Sequence, residues 1–451
     1  MIFFSHQMRA RRHVLAAVLN VLLAIGSPTS VFAGEPAGPP PPLPPDAPPA
    51  APFIINDKWS MGLVTHFESR LQLERDFNSV QPDDIWTVRP ILQPLLLYDD
   101  PGNFRFLITM RLKRETIVRH TGAPEEYRME LEPGEIYARW EPLPGAVAIV
   151  GLTRMTDYRN WLFASSDHKN DAIQLQYRTP TDFTQVVVAT RDWVPNNFFR
   201  FHDEHHSVNY IATYEHNFTP ALRVGGFIIA QNLVNVPGIS DQTYFGPRLR
   251  GTLPDGVASY WADVSILRGH TLREDLKAYA YDTGALYRFT QSKWQPYVAA
   301  SYARGSGDGT PGDGVDHRYR ATGLQEYRGD FGGVARFKYY GEALDADLSN
   351  LAVATLATGF RPNEQSSLDL LVHHYVLDDA KGGWVAARLN RQPVGVARNA
   401  GNAVDVAYGN RDRQGLEIEF YGGFFMPGPA FGITRTNAIY GQVKLKYNFE
   451  P

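Results

Sequence analysis

Residues 295–360 read QPYVAASYARGSGDGTPGDGVDHRYRATGLQEYRGDFGGVARFKYYGEALDADLSNLAVATLATGF. An alternating strand over 297–304 breaks into a Gly/Asp run. A polar segment carrying Arg328 and Arg336 follows, and a second apolar strand resumes over 351–360. Alternation with period two places one side-chain set on each face of a strand. The connection is far longer than a hairpin needs. The stretch therefore predicts two barrel strands whose long connection folds inward and lines a pore with arginines.

Working outward, the same rhythm covers the rest of the chain. Short turns fall at 99–103, 142–144, 179–182, 217–220, 252–255, 290–294, 361–365 and 410–414, and all but one carry a Pro, Gly or Asn-type breaker. Longer connections fall at 70–83, 119–126, 155–170, 193–205, 233–242, 268–274, 305–350, 378–402 and 427–436. Short and long alternate strictly, which predicts an all-β chain: a transmembrane antiparallel β-barrel of about 18 strands, with long extracellular loops and short periplasmic turns. Faces support the count. Near the C-terminus Ile439, Gly441, Val443, Leu445, Tyr447 and Phe449 share one face, and Tyr440, Gln442, Lys444, Lys446 and Asn448 the other. Phe104, Phe106, Ile108, Met110 and Leu112 likewise oppose Arg105, Arg111, Lys113 and Glu115. A soluble β-sandwich also alternates, but it does not keep its long loops at one end. Pro90 and Pro94 fit less well, because each removes a ladder donor inside the strand expected over 84–98.

The N-terminal segment reads differently. Arg9, Arg11 and Arg12 precede an apolar run over 14–25, too short to span a bilayer, and Val31-Phe32-Ala33 is a small-residue cleavage site. Residues 1–33 are expected to be a secretory signal peptide, cleaved near Ala33. Ten prolines crowd residues 36–52, so residues 34–57 are expected to be a Pro-rich periplasmic linker and residues 58–451 the barrel. Cysteine is absent, which removes disulfide and thiolate chemistry. A net charge of −4 gives no polybasic signal, so nucleic acid is not an expected partner. Aromatic residues reach 12%, while no apolar run after residue 33 approaches a membrane helix. Together these features place the chain in a Gram-negative outer membrane, with outer-membrane lipid against its outward face.

Such a barrel is wide enough for an aqueous channel, and rings of Arg or Lys favour anions. The expected lumen cations are Arg89, Arg105, Arg111, Arg139, Arg154, Arg178, Arg191, Arg304, Arg328 and Arg336. The expected acidic partners are Glu68, Glu135, Asp282, Glu342, Glu417 and Glu419. Other chemistry carries less. The run His202-Asp203-Glu204-His205-His206 suits a polar loop tip better than a metal site. His373 and His374 point to opposite faces of one strand, and no serine stands at a telling spacing from them. The reading is a channel and not an enzyme, with no catalytic residue, metal or cofactor.

Several blocks resemble the alginate-export outer-membrane porin family. They are Tyr302-Ala303-Arg304-Gly305-Ser306-Gly307, Thr322-Gly323-Leu324 with Arg328, Gly341-Glu342-Ala343, and Leu348-Ser349-Asn350-Leu351 with Ala354-Thr355-Leu356. Weaker likenesses lie at Arg89-Pro90, Gly151 with Arg154, Asp282-Thr283-Gly284, Val372-His373-His374-Tyr375 and Gly422-Gly423-Phe424-Phe425. The resemblance implies an 18-stranded barrel that lets an anionic, alginate-like exopolysaccharide leave the cell through an arginine-rich constriction. It also implies a periplasmic secretion-complex scaffold as a candidate partner. Arg89, Arg154, Arg328 and Arg336 match constriction arginines. His66, Gly134, Glu419 and Tyr421 stand where the family carries basic residues, so the ring is thinner here. An anion-selective or general uptake porin for small solutes is the alternative reading.

Overall fold

The computed structural model describes residues 53–449, apart from 79–82, 101–102, 120–124, 155–168, 191–205, 220, 235–238, 254–255, 326, 412–414 and 435. Twenty strands share one sheet. Two of them are two-residue pieces: Phe53–Ile54, folded back on the first long strand, and Val315–Asp316, lying parallel to Asp275–Leu276. The other eighteen form the wall. They run β1 Trp59–Leu73, β2 Ile85–Asp100, β3 Phe104–Arg119, β4 Glu126–Leu143, β5 Ala146–Arg154 and β6 Lys169–Arg178. Next come β7 Asp182–Thr190, β8 His206–Thr219, β9 Leu222–Val234, β10 Ile239–Thr252, β11 Ala258–Thr271 and β12 Asp275–Arg288. The last six are β13 Tyr297–Gly305, β14 Leu351–Asn363, β15 Ser366–Leu377, β16 Asn399–Arg411, β17 Leu416–Pro427 and β18 Ala438–Asn448.

Each strand pairs antiparallel with its sequence neighbours, and β1 pairs with β18 from Val64↔Asn448 to Leu73↔Ile439. The sheet is therefore closed, and no edge strand is left to seek a partner. Outward positions are apolar and exposed along every part of the wall, for example Leu92, Val150, Ile228, Val298, Leu356, Leu370, Val404 and Phe420. That surface is the one a bilayer covers.

Three local expectations need adjustment. The connection expected over 268–274 is a tight turn of residues 272–274, closed by the Thr271 N–H on the Glu274 carbonyl (2.8 Å). The polar residues Arg268, Gly269 and His270 simply continue β11, paired with Lys277, Leu276 and Asp275. Strands also run well past the expected length, up to 18 residues in β4, because ion pairs such as Arg119–Glu126 carry the ladder beyond the apolar belt. Pro90 and Pro94 lie within a continuous β2. Its ladder to β1 is unbroken, while pairing to β3 drops out at Arg89-Pro90 and at Gln93-Pro94.

The segment between β13 and β14 turns into the barrel, as its sequence predicts. Tyr319, Leu324, Tyr327, Phe331, Ala335, Phe337, Tyr339, Tyr340, Leu344 and Leu348 are all buried, in one core with inward residues of β6 to β18. Phe331 stacks on Trp261 (5.8 Å). Buried backbone needs polar partners, and the wall supplies them. Tyr340 Oη donates to Asp282 (2.8 Å), the Glu342 N–H to Asp405 (2.7 Å), and the Val334 N–H to Ser367 Oγ (2.7 Å). Tyr375 Oη donates to the Tyr340 carbonyl (3.1 Å) and Gln231 to that of Thr322 (2.8 Å). Gly341 has φ +104°, and a Cβ there would sit 2.2 Å from Tyr375 Oη, so this close approach requires glycine. The exit is fixed by Asn350, which donates to the Asp379 and Gly382 carbonyls and accepts from the Asp379 N–H (2.7 Å).

Replacing Leu356, which lies mid-strand on the outward face, by Arg is expected to lower barrel stability by about 2–4 kcal/mol. Denaturant unfolding in lipid vesicles measures this, and an unchanged midpoint would mean that this face does not lie in hydrocarbon.

Candidate functional site

The infolded segment occupies one side of the interior. Opposite it, a set of charged inward side chains on β17, β18 and β1 to β5 stays partly accessible, beside a second buried apolar cluster of Val64, Leu95, Leu97 and Leu107 on β1 to β3. Parity explains the array. In the run Glu126-Tyr127-Arg128-Met129-Glu130-Leu131-Glu132 the apolar residues face out and the charges face in. Glu68 and Arg89 sit opposite each other on β1 and β2. Arg89, 26% exposed, donates through Nε to Glu115 (3.1 Å) and lies 3.4 Å from Glu68. Lys113 on β3 lies between Glu130 and Glu132 of β4. Arg154 approaches Glu135 at 3.7 Å, and Lys446 contacts Glu417 at 2.6 Å. Accessible ion pairs of this kind contribute little to stability, roughly 0–1 kcal/mol each. Their cations can therefore exchange a glutamate for a carboxylate brought in by a permeating molecule at small cost.

The infolded segment meets this path with a short hairpin, Arg328–Gly329 against Phe337–Lys338. Arg328 Nε donates to the Arg336 carbonyl (2.7 Å), and an Arg336 Nη donates back to the Arg328 carbonyl (3.2 Å). The Arg328 guanidinium lies over the Tyr421 ring at 4.9 Å. Lys338 Nζ contacts Asp345 at 2.7 Å. Behind the hairpin, burial alone would raise the Glu342 carboxyl, but Arg388, Arg328 and the Lys338 N–H hold it below its usual range. Asp345 behaves likewise, with burial outweighed by Lys338 and Arg388. Asp347 differs: burial, then the neighbouring Asp345, push it up to about 6.

The structure sorts the expected pore residues. Arg89 and Arg154 belong to the partly accessible ion-paired array, and Arg336 is partly accessible beside Arg328. Arg328 itself is only 8% exposed, because it is tucked against Tyr421. Glu342 and Asp282, each 1% exposed, are not part of this array. Asp282 is a brace that accepts from Trp261 Nε1 (2.7 Å) and Tyr340 Oη, and Glu342 is held between Lys338 and Arg388. Arg304 is a correction: it shares the outward face of β13 with Tyr302, lies over outward Tyr279 (5.9 Å), and donates to Asp378 (2.7 Å). Period-two parity along β13 already groups Arg304 with outward Val298 and Tyr302, so the lumen expectation runs against parity. Arg191 and the histidine run at 202–205 lie outside the described residues. His373 is buried in the wall between Thr355 (2.9 Å) and Asp405 (3.1 Å), whereas His374 faces outward and meets Asn402. Among the described residues no group of three or more His, Cys, Asp or Glu side chains is placed to hold a metal ion.

Several contributors escaped sequence reading. Glu130 and Glu132 did so although period-two alternation in β4 made them readable, whereas Lys113 and Glu115 already stood on the polar face of β3. Arg388 was not, because nothing local in the connection 378–398 shows that it turns inward. A second buried network on the far wall, in which Glu215 meets Arg223, Arg248 and Arg250, also needed the pairing of β8, β9 and β10 to become visible.

With this geometry in hand, the family model described as alginate export matches residues 204–439. The chain belongs to the alginate export family. The match spans β8 to the start of β18 and contains the whole infolded segment, while Arg89 and Arg154 lie upstream of it. Among curated proteins, the alginate production protein AlgE of Pseudomonas aeruginosa is 31% identical over 175 residues, which are 35% of this chain and 34% of that protein. AlgE of Azotobacter vinelandii is 34% identical over 122 residues, 27% of this chain and 22% of that protein. The aligned stretches thus span 34% and 22% of these relatives' length. The crystal structure of P. aeruginosa OccK7 (OpdD) superposes with a TM-score of 0.57 at 11% identity, over 88% of this chain and 99% of that one. OccK11 (OpdR) of the same organism gives 0.53 at 10% identity, over 87% and 96%. At such identities the likeness concerns the fold.

Asp347 gives a pH test. Its folded pKa lies above the unfolded value of about 4, so between pH 6 and 4 the folded chain binds more protons than the unfolded one. Its contribution to stability therefore improves as pH falls through 6 and levels off below 4. Glu342 and Asp345, depressed, act oppositely and lose their contribution at lower pH. Asp347→Asn is expected to stabilise the protein at pH 7 and to show a smaller gain at pH 5. Thermal unfolding in detergent across pH 4–8 measures it, and a pH-independent difference would overturn the assignment.

Proposed function

We propose that the protein is an outer-membrane channel through which an anionic, alginate-like exopolysaccharide leaves the cell. The observation that carries this reading is the division of the lumen. A packed region anchors the infolded segment, and on our reading the partly accessible Arg89, Lys113, Arg154, Arg336 and Lys446 face whatever passes. A polyuronate carries a carboxylate on each sugar. Guanidinium forks bind carboxylates bidentately and release them when the next site along offers the same. Glutamates beside each cation supply the competing partner that keeps any single site from holding on, as conduction requires.

The remaining parts fit this reading. Residues 1–33 act as a cleaved signal peptide, the short turns face the periplasm, and the Pro-rich residues 34–57 form a periplasmic spacer within reach of a secretion-complex scaffold. The chain supplies a path and no catalytic machinery. The glutamates favour a second reading. Glu68, Glu115, Glu130, Glu132, Glu135 and Glu417 line the same path, and so mixed a wall suits an uptake porin for small solutes.

Single-channel recording in planar bilayers separates the two. The exporter predicts anion selectivity in a salt gradient and concentration-dependent block by polyuronate, with Arg89→Gln and Arg336→Gln each weakening block by roughly tenfold. A channel indifferent to polyuronate would leave the uptake reading standing. Replacing residues 307–349 by a short flexible linker is expected to raise conductance several-fold, and unchanged conductance would show that this segment does not narrow the path.

A further inference from the structure

We infer that Arg388 is a positioning residue for pore selectivity: through Glu342 it sets the electrostatic sign of the constriction without facing the permeating molecule. The inference rests on the channel reading above. Arg388 reaches the hairpin because the connection 378–398 pairs with the infolded segment. The Asp347 N–H donates to the Val385 carbonyl (3.0 Å), the Ala387 N–H to that of Asp345 (3.2 Å), and the Arg388 N–H to that of Leu344 (3.2 Å). This register delivers the guanidinium to Glu342. Arg388 Nη1 donates to Glu342 Oε2 (2.9 Å) and to the Glu342 carbonyl, while Nε lies 3.8 Å from Asp345. Its guanidinium carbon sits 3.6 Å from the centroid of the Tyr440 ring.

The other Glu342 oxygen, Oε1, accepts the Lys338 N–H (2.9 Å). Lys338 and Arg388 thus hold both oxygens by hydrogen bonds, and Arg328, lying over the Tyr421 ring, adds a positive charge nearby. Glu342 and Arg388 are 1% and 7% exposed, so mobile ions screen their fields poorly. A buried ion pair is a poor device for stability alone, since apolar residues of similar volume hold two loops together as well or better. What the charged pair does, and an apolar pair does not, is balance a buried carboxylate beside Arg328, Arg336 and Lys338. With Arg388 present, the Glu342 charge is cancelled locally and the hairpin presents a positive edge. Without it, that carboxylate offsets the hairpin cations.

The test is a cycle of variants read by reversal potential in a potassium chloride gradient. Arg388→Met is expected to lower the chloride-to-potassium permeability ratio about two- to threefold, and Glu342→Gln to raise it by a similar factor. The double variant R388M/E342Q is expected to return to the wild-type ratio, with single-channel conductance in symmetric salt unchanged throughout. A role confined to holding the loops gives a different pattern: conductance changes and the second substitution does not restore selectivity. An unaltered ratio in R388M, or a double variant that stays with R388M, overturns the inference. Should R388M fail to assemble, the Glu342→Gln shift decides alone, and its absence is equally fatal. A wild-type channel without anion preference would instead count against the channel reading, while opposite shifts in the two single variants would still support the role assigned to Arg388.

Discussion

A ring of eighteen strands encloses more space than its own inward side chains can fill. Everything else in this structure follows from how that space is used. The chain spends the long connection between β13 and β14 as a second layer inside the wall, and the cost of burying so much irregular backbone is met by specific acceptors and donors. Asp282, Asp405 and Ser367 on the wall, with Gln231 and Tyr375, take up polar groups that would otherwise be stranded. The aromatic residues of the segment fill the remaining volume against Trp261 and the small residues Ala278, Ala280 and Ala299.

This arrangement makes the interior asymmetric, and the asymmetry creates the path. Inward residues of the wall behind the segment are buried and mostly apolar or tightly paired. On the opposite wall a charged set keeps access to solvent beside a smaller buried apolar cluster of Val64, Leu95, Leu97 and Leu107. A uniform ring of arginines would attract an anionic polymer and hold it. On the proposed reading, interleaved glutamates that touch these cations make the wall a series of exchangeable sites. The same logic explains why the basic ring is thinner here than family resemblance alone implies: His66, Gly134 and Glu419 lower its density, while Lys113 and Lys446 return charge at other heights of the wall.

A second loop packs against the infolded segment. The connection 378–398 pairs with residues 344–347, its Trp384 packs against Phe431, and Phe77 from the β1–β2 connection joins Phe425 and Phe431 in the same aromatic cluster. Three connections remote in sequence thus meet at the long-loop end and lock the hairpin that carries Arg328 and Arg336. Its position is set by this contact, so changes far from the path reach it through packing rather than through the wall.

Period-two alternation and the spacing of turns were enough to determine an all-β barrel, its strand number and most facing assignments, because side-chain direction along a strand is fixed by local geometry. The same parity set Arg89 on the inward face of β2, and the length of the connection 305–350 marked an infolded segment. Tertiary structure alone decided which inward charges stay accessible. Asp282 and Glu342 read as pore acids and became buried braces, and Arg388 entered from a connection with no local signal. Those outcomes depend on which wall the infolded segment covers. That choice is made by contacts between residues tens to hundreds of positions apart, and no local pattern encodes it.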